Sequence, residues 1–154
     1  MPVKKLKSFL DEQKVKYISI RHSLAYTAQE IAASAHIHGR DLAKTVIVRI
    51  DGETAMAVLP ANARLDRKKL QQALDARAVE LAEEREFKDL FPECALGAMP
   101  PFGNLYDMAV YVDTSLTTDE HIAFNAGSHT ELIQLSYADF QRLVKPRVVS
   151  IAAE

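Results

Sequence analysis

Apolar and polar positions along the chain change period several times, and the changes divide it into short elements. Leu6, Phe9 and Leu10 recur at helical spacing behind Pro2, which predicts a helix over 2–14. Tyr17–Arg21 alternates and is rich in β-formers, so a strand is expected there. Thr27-Ala28-Gln29-Glu30 has the form of a capping box and opens a short helix to about Ala35. The strongest strand signal is Lys44–Ile50. Asp51-Gly52 follows as a tight-turn pair, and Thr54–Leu59 returns as the second arm of a hairpin stopped by Pro60. Val46, Val48 and Ile50 share one face of the first arm with Lys44; Thr45, Ile47 and Arg49 share the other.

Asp66 is placed to cap a helix over about 67–75. A short strand over 78–82 and a charged surface helix over 83–91 come next, the latter ended by Pro92. Gly97-Ala98-Met99-Pro100-Pro101-Phe102-Gly103 fits neither a helix interior nor a central strand, so it is read as a stiff, shaped loop. Strands are expected at 108–112, 122–124 and 131–135. A capped helix follows from Ser136 to about Val144, and a tail over 147–151 adds an edge strand or frays. Short strands interleaved with short helices, joined by hairpins, predict an α+β fold. The expectation is a single domain over 1–154 with a mixed, curved, barrel-like sheet flanked by helices.

Composition narrows the function classes. The 154 residues suit one domain with its own core. No apolar run approaches the roughly 18 residues needed to span a bilayer, and the polar amino terminus does not read as a secretory signal, so a cytoplasmic protein with no membrane partner is expected. A single cysteine, Cys94, allows no internal disulfide and no thiol-based metal site; it reads as a small half-buried side chain. Net charge is −2, but residues 1–77 carry 14 Lys/Arg against 8 Asp/Glu, and residues 78–154 carry 5 against 13. The first half therefore offers a basic face of modest strength to a polyanion, short of a general nucleic-acid binder. Lys4-Lys5-Lys7 and Arg67-Lys68-Lys69 read as solvated helix faces.

The familiar nucleophile, phosphate-loop, dinucleotide and zinc-protease motifs are missing. His36 and His38 share a side if extended but lack a third ligand at a telling spacing, so no metal and no cofactor is expected. What remains is a constellation: Lys44 at the start of one strand, Gly97–Gly103 between strands, and Asn125-Ala126-Gly127-Ser128-His129 just past another. Converging, they would make a pocket with one cation, a rigid apolar wall and a polar end, suited to a small anionic or ester-bearing ligand.

The same residues carry a family resemblance. His22 ahead of Thr27–Glu30, Ala43-Lys44-Thr45-Val46, Gly97–Gly103, Val112-Asp113 with Leu116, and Phe124–His129 stand in an order and spacing that resembles the YbaK/ProX family, the free-standing relatives of the editing domain of prolyl-tRNA synthetase. The resemblance covers about residues 15–145. It implies an aminoacyl-tRNA deacylase acting in trans on the tRNA acceptor end, on a barrel-like α+β fold. By that resemblance Lys44, Gly97 and His129 carry the chemistry, while Pro101, Phe102, Asn125, Gly127 and Ser128 bind substrate. A synthetase or an elongation factor as helper is compatible with the modest basic balance. Ser or Thr, Ala and Cys all stay open as the amino acid removed. A noncatalytic aminoacyl-tRNA or synthetase-binding module, or a small-molecule hydrolase or binder on the same fold, are the alternatives.

Overall fold

The computed structural model describes residues 4–21, 41–92, 94–95 and 97–153. The capping box at Thr27, the expected short helix behind it, His22, His36 and His38 lie outside the described residues. The first helix, α1 (Lys4–Glu12), is followed by β1 (Tyr17–Arg21), and then by the hairpin of β2 (Leu42–Ile50) and β3 (Glu53–Pro60). The middle of the chain forms α2 (Arg67–Leu74), β4 (Val79–Leu81) and the single turn α3 (Glu84–Phe87). It ends with β5 (Ala109–Asp113), β6 (His121–Ser128), β7 (Glu131–Ser136), α4 (Tyr137–Val144) and β8 (Arg147–Val149).

Among the described residues, the strands form one mixed sheet in the order β1-β7-β6-β2-β3-β5-β8, with β4 attached to β2. The hairpins β2/β3 and β6/β7 are antiparallel, whereas β2/β6, β3/β5 and β5/β8 are parallel. The expected α+β class and mixed curved sheet are what the chain adopts. Ile50 pairs with Glu53 around Asp51 and Gly52, both at positive φ (50° and 88°), as a two-residue hairpin turn requires. The Asp51 side chain also accepts from the amides of Arg77 and Ala78, at 2.8 and 2.9 Å, which seats β4 beside β2.

Both faces of the sheet are covered. On one, Ile47, Met56, Val58, Phe124 and Ile133 pack with Leu6 and Leu10 of α1 and Phe140 of α4. A nine-residue helix is marginal alone, and burial of two leucines at roughly 1.5–3 kcal/mol each is what docks α1. On the other face, Val48, Ala55 and Ala57 pack with Leu70 of α2, Val79, Val149 and Ile151. The Asp66 carboxylate caps α2 by accepting from the amides of Lys68 and Lys69. The Ser136 hydroxyl caps α4 by accepting from Asp139 N at 3.1 Å.

Two expectations change, and of the two alternatives for the tail one holds. The helix expected over 83–91 is α-helical only over Glu84–Phe87 and tightens to a 3₁₀ turn over Lys88–Leu90. Pro92 disfavours helical geometry at the residue before it, and Phe91 sits at φ −127°, ψ 64°. The strand expected over 122–124 runs from His121 to Ser128 because a bulge between Asn125 and Ser128 carries the polar segment on as strand. The tail does not fray: β8 is a parallel edge strand on β5, and Ile151 beyond it is fully buried.

The segment past β8 is held by a buried acid. Asp113, only 3% exposed, accepts from Ile151 N at 2.8 Å, Ala152 N at 2.9 Å and Ser115 N at 3.1 Å, and from the Ser115 hydroxyl. Burial alone would raise its pKa, but the donors, Ser115 Oγ foremost, outweigh it and hold the carboxyl below its ordinary value.

Candidate active site

The Gly97–Gly103 loop is built by backbone pinning. Ala95 N donates to Gly127 O at 2.7 Å, Gly127 N donates to Ala98 O at 2.9 Å, and Ala98 N closes back on Ala95 O at 3.0 Å. The loop is therefore clamped to the bulge of β6, where Gly127 turns at φ 95°. Pro100 and Pro101 are buried behind it. Gly103 has no room for a side chain: a Cβ there would lie 2.5 Å from Met108 O and 2.6 Å from Val110 Cγ2.

Gly97 is exposed at the rim, at φ 82°, and a Cβ placed on it would meet His129 Cε1 at 3.6 Å. The loop and the imidazole are thus direct neighbours. Replacing Gly97 with alanine is expected to cost about 1 kcal/mol through the left-handed backbone, since the space itself admits a methyl group. Urea denaturation of the variant beside wild type checks it.

Lys44 approaches from the neighbouring strand. Leu42 and Ala43 pair with Ala123 and Phe124 of the parallel strand β6, so one register step further Lys44 and Asn125 fall on the same face. Lys44 is half-buried, and burial first, then the Arg64 charge, hold its ammonium below the ordinary lysine pKa. Asn125 Oδ1 is buried and has no hydrogen-bond partner among the described residues. β6 is thus the common spine: its pairing with β2 stops at Phe124, one residue before Asn125, and the bulge from Asn125 to Ser128 carries the clamped loop and leads to His129.

A profile of the aminoacyl-tRNA editing domain matches residues 22–143. The chain belongs to that family. A prolyl-tRNA editing protein, ProX, of Acetoanaerobium sticklandii is 25% identical over 142 residues, covering 88% of this chain and 86% of that one. A multifunctional Ser/Thr-tRNA deacylase, ProXp-y, of Escherichia coli K12 is 28% identical over 113 residues, 70% of this chain and 67% of that one. Among solved structures, the hypothetical protein APE2540 superposes with TM-score 0.87 at 19% identity, over 97% of this chain and all of that one. A proposed trans-editing enzyme for prolyl tRNA synthetase gives 0.83 at 18% identity, over 98% and 96%. Both establish the fold.

Within this editing domain the expected site residues divide. Gly97, Gly127 and His129 are brought together at the bulge of β6, and Lys44 lies on the neighbouring strand, one residue past the Ala43–Phe124 pair. Ser128 belongs to the turn: its hydroxyl lies 3.3 Å from Thr130 Oγ1 and accepts from Thr130 N at 3.4 Å. Phe102 needs correcting as a substrate contact. Its ring is fully buried, with centroids 6.2, 5.5 and 5.7 Å from Phe9, Phe124 and Phe140, so it anchors the loop to the core instead of lining a pocket. Pro101 is likewise buried and acts on the loop from behind.

Two residues escaped the sequence reading. Arg64 stands near Lys44; its only signal was the basic run from 64 to 69. Glu131, 3% exposed, opens β7 just past His129 and receives the Ser19 hydroxyl at 2.7 Å, with Lys7 Nζ at 3.5 Å and Arg21 at 3.9 Å. It fixes α1 and β1 to the end of the sheet that carries His129. Several clefts lie elsewhere. One of about 640 Å³ is lined by Ile50, Glu53, Tyr106 and Met108 among others, and includes none of the site residues. Among the described residues no helix is long and apolar enough to cross a membrane.

Proposed function

We propose that this chain is a trans-acting deacylase that hydrolyses the ester joining a wrongly attached small amino acid to the 3′ end of tRNA. The observation that carries the reading is the clamped Gly97 loop beside His129, one strand from Lys44, in a chain of the aminoacyl-tRNA editing family. The names of the two relatives, a prolyl-tRNA editing protein and a Ser/Thr-tRNA deacylase, support the substrate class.

An aminoacyl ester is already activated, and the ribose carries a hydroxyl beside it. The protein need only hold the two ends of the substrate, orient water or that hydroxyl, and stabilise the oxyanion as it forms. No covalent enzyme intermediate is required. In this scheme Lys44 holds the terminal nucleotide through its phosphate. The amides of Ala98 and Gly127 are engaged in the clamp, so the exposed backbone at Gly97 is the part of the loop that meets the ester. His129 borders the amino-acid side chain. Asn125 Oδ1, buried without a donor, accepts from a substrate hydroxyl or ammonium; filling such a vacancy is favourable because a buried polar atom left unpaired is costly.

That acceptor favours amino acids with a donor in reach, Ser and Thr first, with Ala and Cys as competitors. A polar site rejects an analogue lacking the group far more strongly than an apolar pocket rejects a methylene, which is worth only about 1–3 kcal/mol. A synthetase or an elongation factor delivering the tRNA, and a cytoplasmic location with the translation machinery, complete the proposal. The test is a panel of tRNAs charged with Ala, Ser, Thr, Cys and Pro. The expected result is ester loss well above the buffer rate for at least one small amino acid, fastest for Ser or Thr. Binding of charged tRNA with no ester loss across the whole panel would instead leave a noncatalytic module.

A further inference from the structure

Two cations, Lys44 and Arg64, stand at one end of the sheet. Lys44 pairs with Leu59 across the hairpin, and β3 ends at Pro60 opposite Ala43. The chain then folds back on β2: Ala61 N donates to Leu42 O at 2.7 Å, and Ala63 N closes a turn on Pro60 O at 2.9 Å. Arg64 follows at once, close enough for its charge to act on the Lys44 ammonium. Neither side chain is in an ion pair among the described residues.

The Arg64 backbone is fixed although its side chain is exposed. Ala153 N donates to Arg64 O at 2.7 Å, Leu65 bridges Ala152, and Asp66 N donates to Ile151 O at 2.8 Å. The same Ile151 and Ala152 are gripped by Asp113. A rigid base under an exposed guanidinium, beside a half-buried ammonium, is an arrangement that folding alone does not favour, because like charges repel. The basic character continues into α2, whose first turn holds Arg67 and Lys68, both exposed, and no acid. Cations there oppose the helix dipole, so the run is not placed for helix stability.

We propose that Arg64 is a positioning residue for the acceptor strand, its guanidinium joining Lys44 to clamp a backbone phosphate of the tRNA 3′ end. The proposal takes its substrate from the deacylase reading above. Arg suits the role because its planar fork grips phosphate oxygens in pairs, while Lys44 supplies a point charge on the other side.

The test measures binding apart from hydrolysis. A short oligoribonucleotide ending in CCA is titrated into wild type, Arg64→Ala and Arg64→Lys over a range of salt. Arg64→Ala is expected to weaken binding about tenfold and to flatten the log Kd against log salt line by about 0.7, the slope of one single-strand phosphate contact. On charged tRNA its KM is expected to rise about tenfold with kcat changed less than about threefold, and Arg64→Lys to recover only part of the loss, since it keeps the charge but not the fork. Arg64→Gln serves as a second neutral variant, and a thermal melt confirms that each is folded. Equal binding and slope in wild type and Arg64→Ala, no binding of the oligonucleotide by wild type, or a fall in kcat at constant KM each overturns the assignment. If wild type binds the oligonucleotide but deacylates nothing in the panel, the hydrolase reading falls, and Arg64 is judged on the binding data alone.

Discussion

Replacing Lys44 with alanine is expected to lower kcat/KM on mischarged tRNA by about a hundredfold, about 2.7 kcal/mol of transition-state stabilisation. The same change is expected to leave the protein at least as stable as wild type. Lys44 is half-buried and near a second cation, and both facts oppose its charge in the folded state. Removing it relieves a cost and breaks no ion pair among the described residues. A loss of activity without a loss of stability separates a functional lysine from a structural one. A pH profile gives a second readout. A cation that grips phosphate works below its pKa and fails as pH rises through it. Burial first, and the Arg64 charge next, set that point below the ordinary lysine value of about 10.4. The alkaline limb of kcat/KM is therefore expected at lower pH than for an unperturbed lysine. Steady-state deacylation across pH, alongside urea denaturation of Lys44→Ala, checks both; a variant that deacylates at the wild-type rate would end the role given to Lys44.

The largest effect on stability is expected at Asp113. Alanine there strands three backbone amides and the Ser115 hydroxyl that now donate to one buried carboxylate. About 3 kcal/mol is expected at neutral pH, because hydrogen bonds to a charged group are the strong ones and buried donors left unmade are costly. Asp113→Asn keeps the shape but loses the charge and an acceptor, so a smaller loss of about 2 kcal/mol follows. The pH dependence has a definite sign. The folded pKa lies below the unfolded value of about 3.9, so the stabilisation is complete above that value and is lost as pH falls through the folded pKa. The gap between wild type and Asp113→Asn is expected to shrink below about pH 4. Denaturant midpoints at neutral pH and at about pH 3 give the comparison. A gap unchanged by acid would mean that the carboxylate charge is not what grips the tail.

Local chemistry was what the sequence made legible. The Asp51-Gly52 turn, the Asp66 cap, the Ser136 cap and the division of the β2 side chains between two faces each depend on neighbours within a few residues, and each stands as expected. The α+β class followed from them. Candidate site residues could be named from the sequence, but not how each of them packs. Phe102 shows why: a large aromatic between a proline and a glycine reads equally as pocket wall or core anchor, and only packing against Phe9, Phe124 and Phe140 decides. The length of β6 was hidden for a related reason. Its polar end is strand because of a bulge and a loop docked from 30 residues earlier, with Ala95 meeting Gly127. Arg64 was invisible as a partner of Lys44 because their proximity depends on a turn after β3 and on the far end of the chain.

That last dependence bears on how the protein is made. Arg64 is seated by Ala153, Asp66 by Ile151, and Ile151 and Ala152 in turn by Asp113. The β2/β3 hairpin can pair as soon as its own residues emerge, but β6 and the final strap come much later in synthesis. A nascent chain therefore carries Lys44 long before it carries the surroundings that aim it. The end of the sheet that carries Lys44 takes its final form only once residues 151–153 have been made.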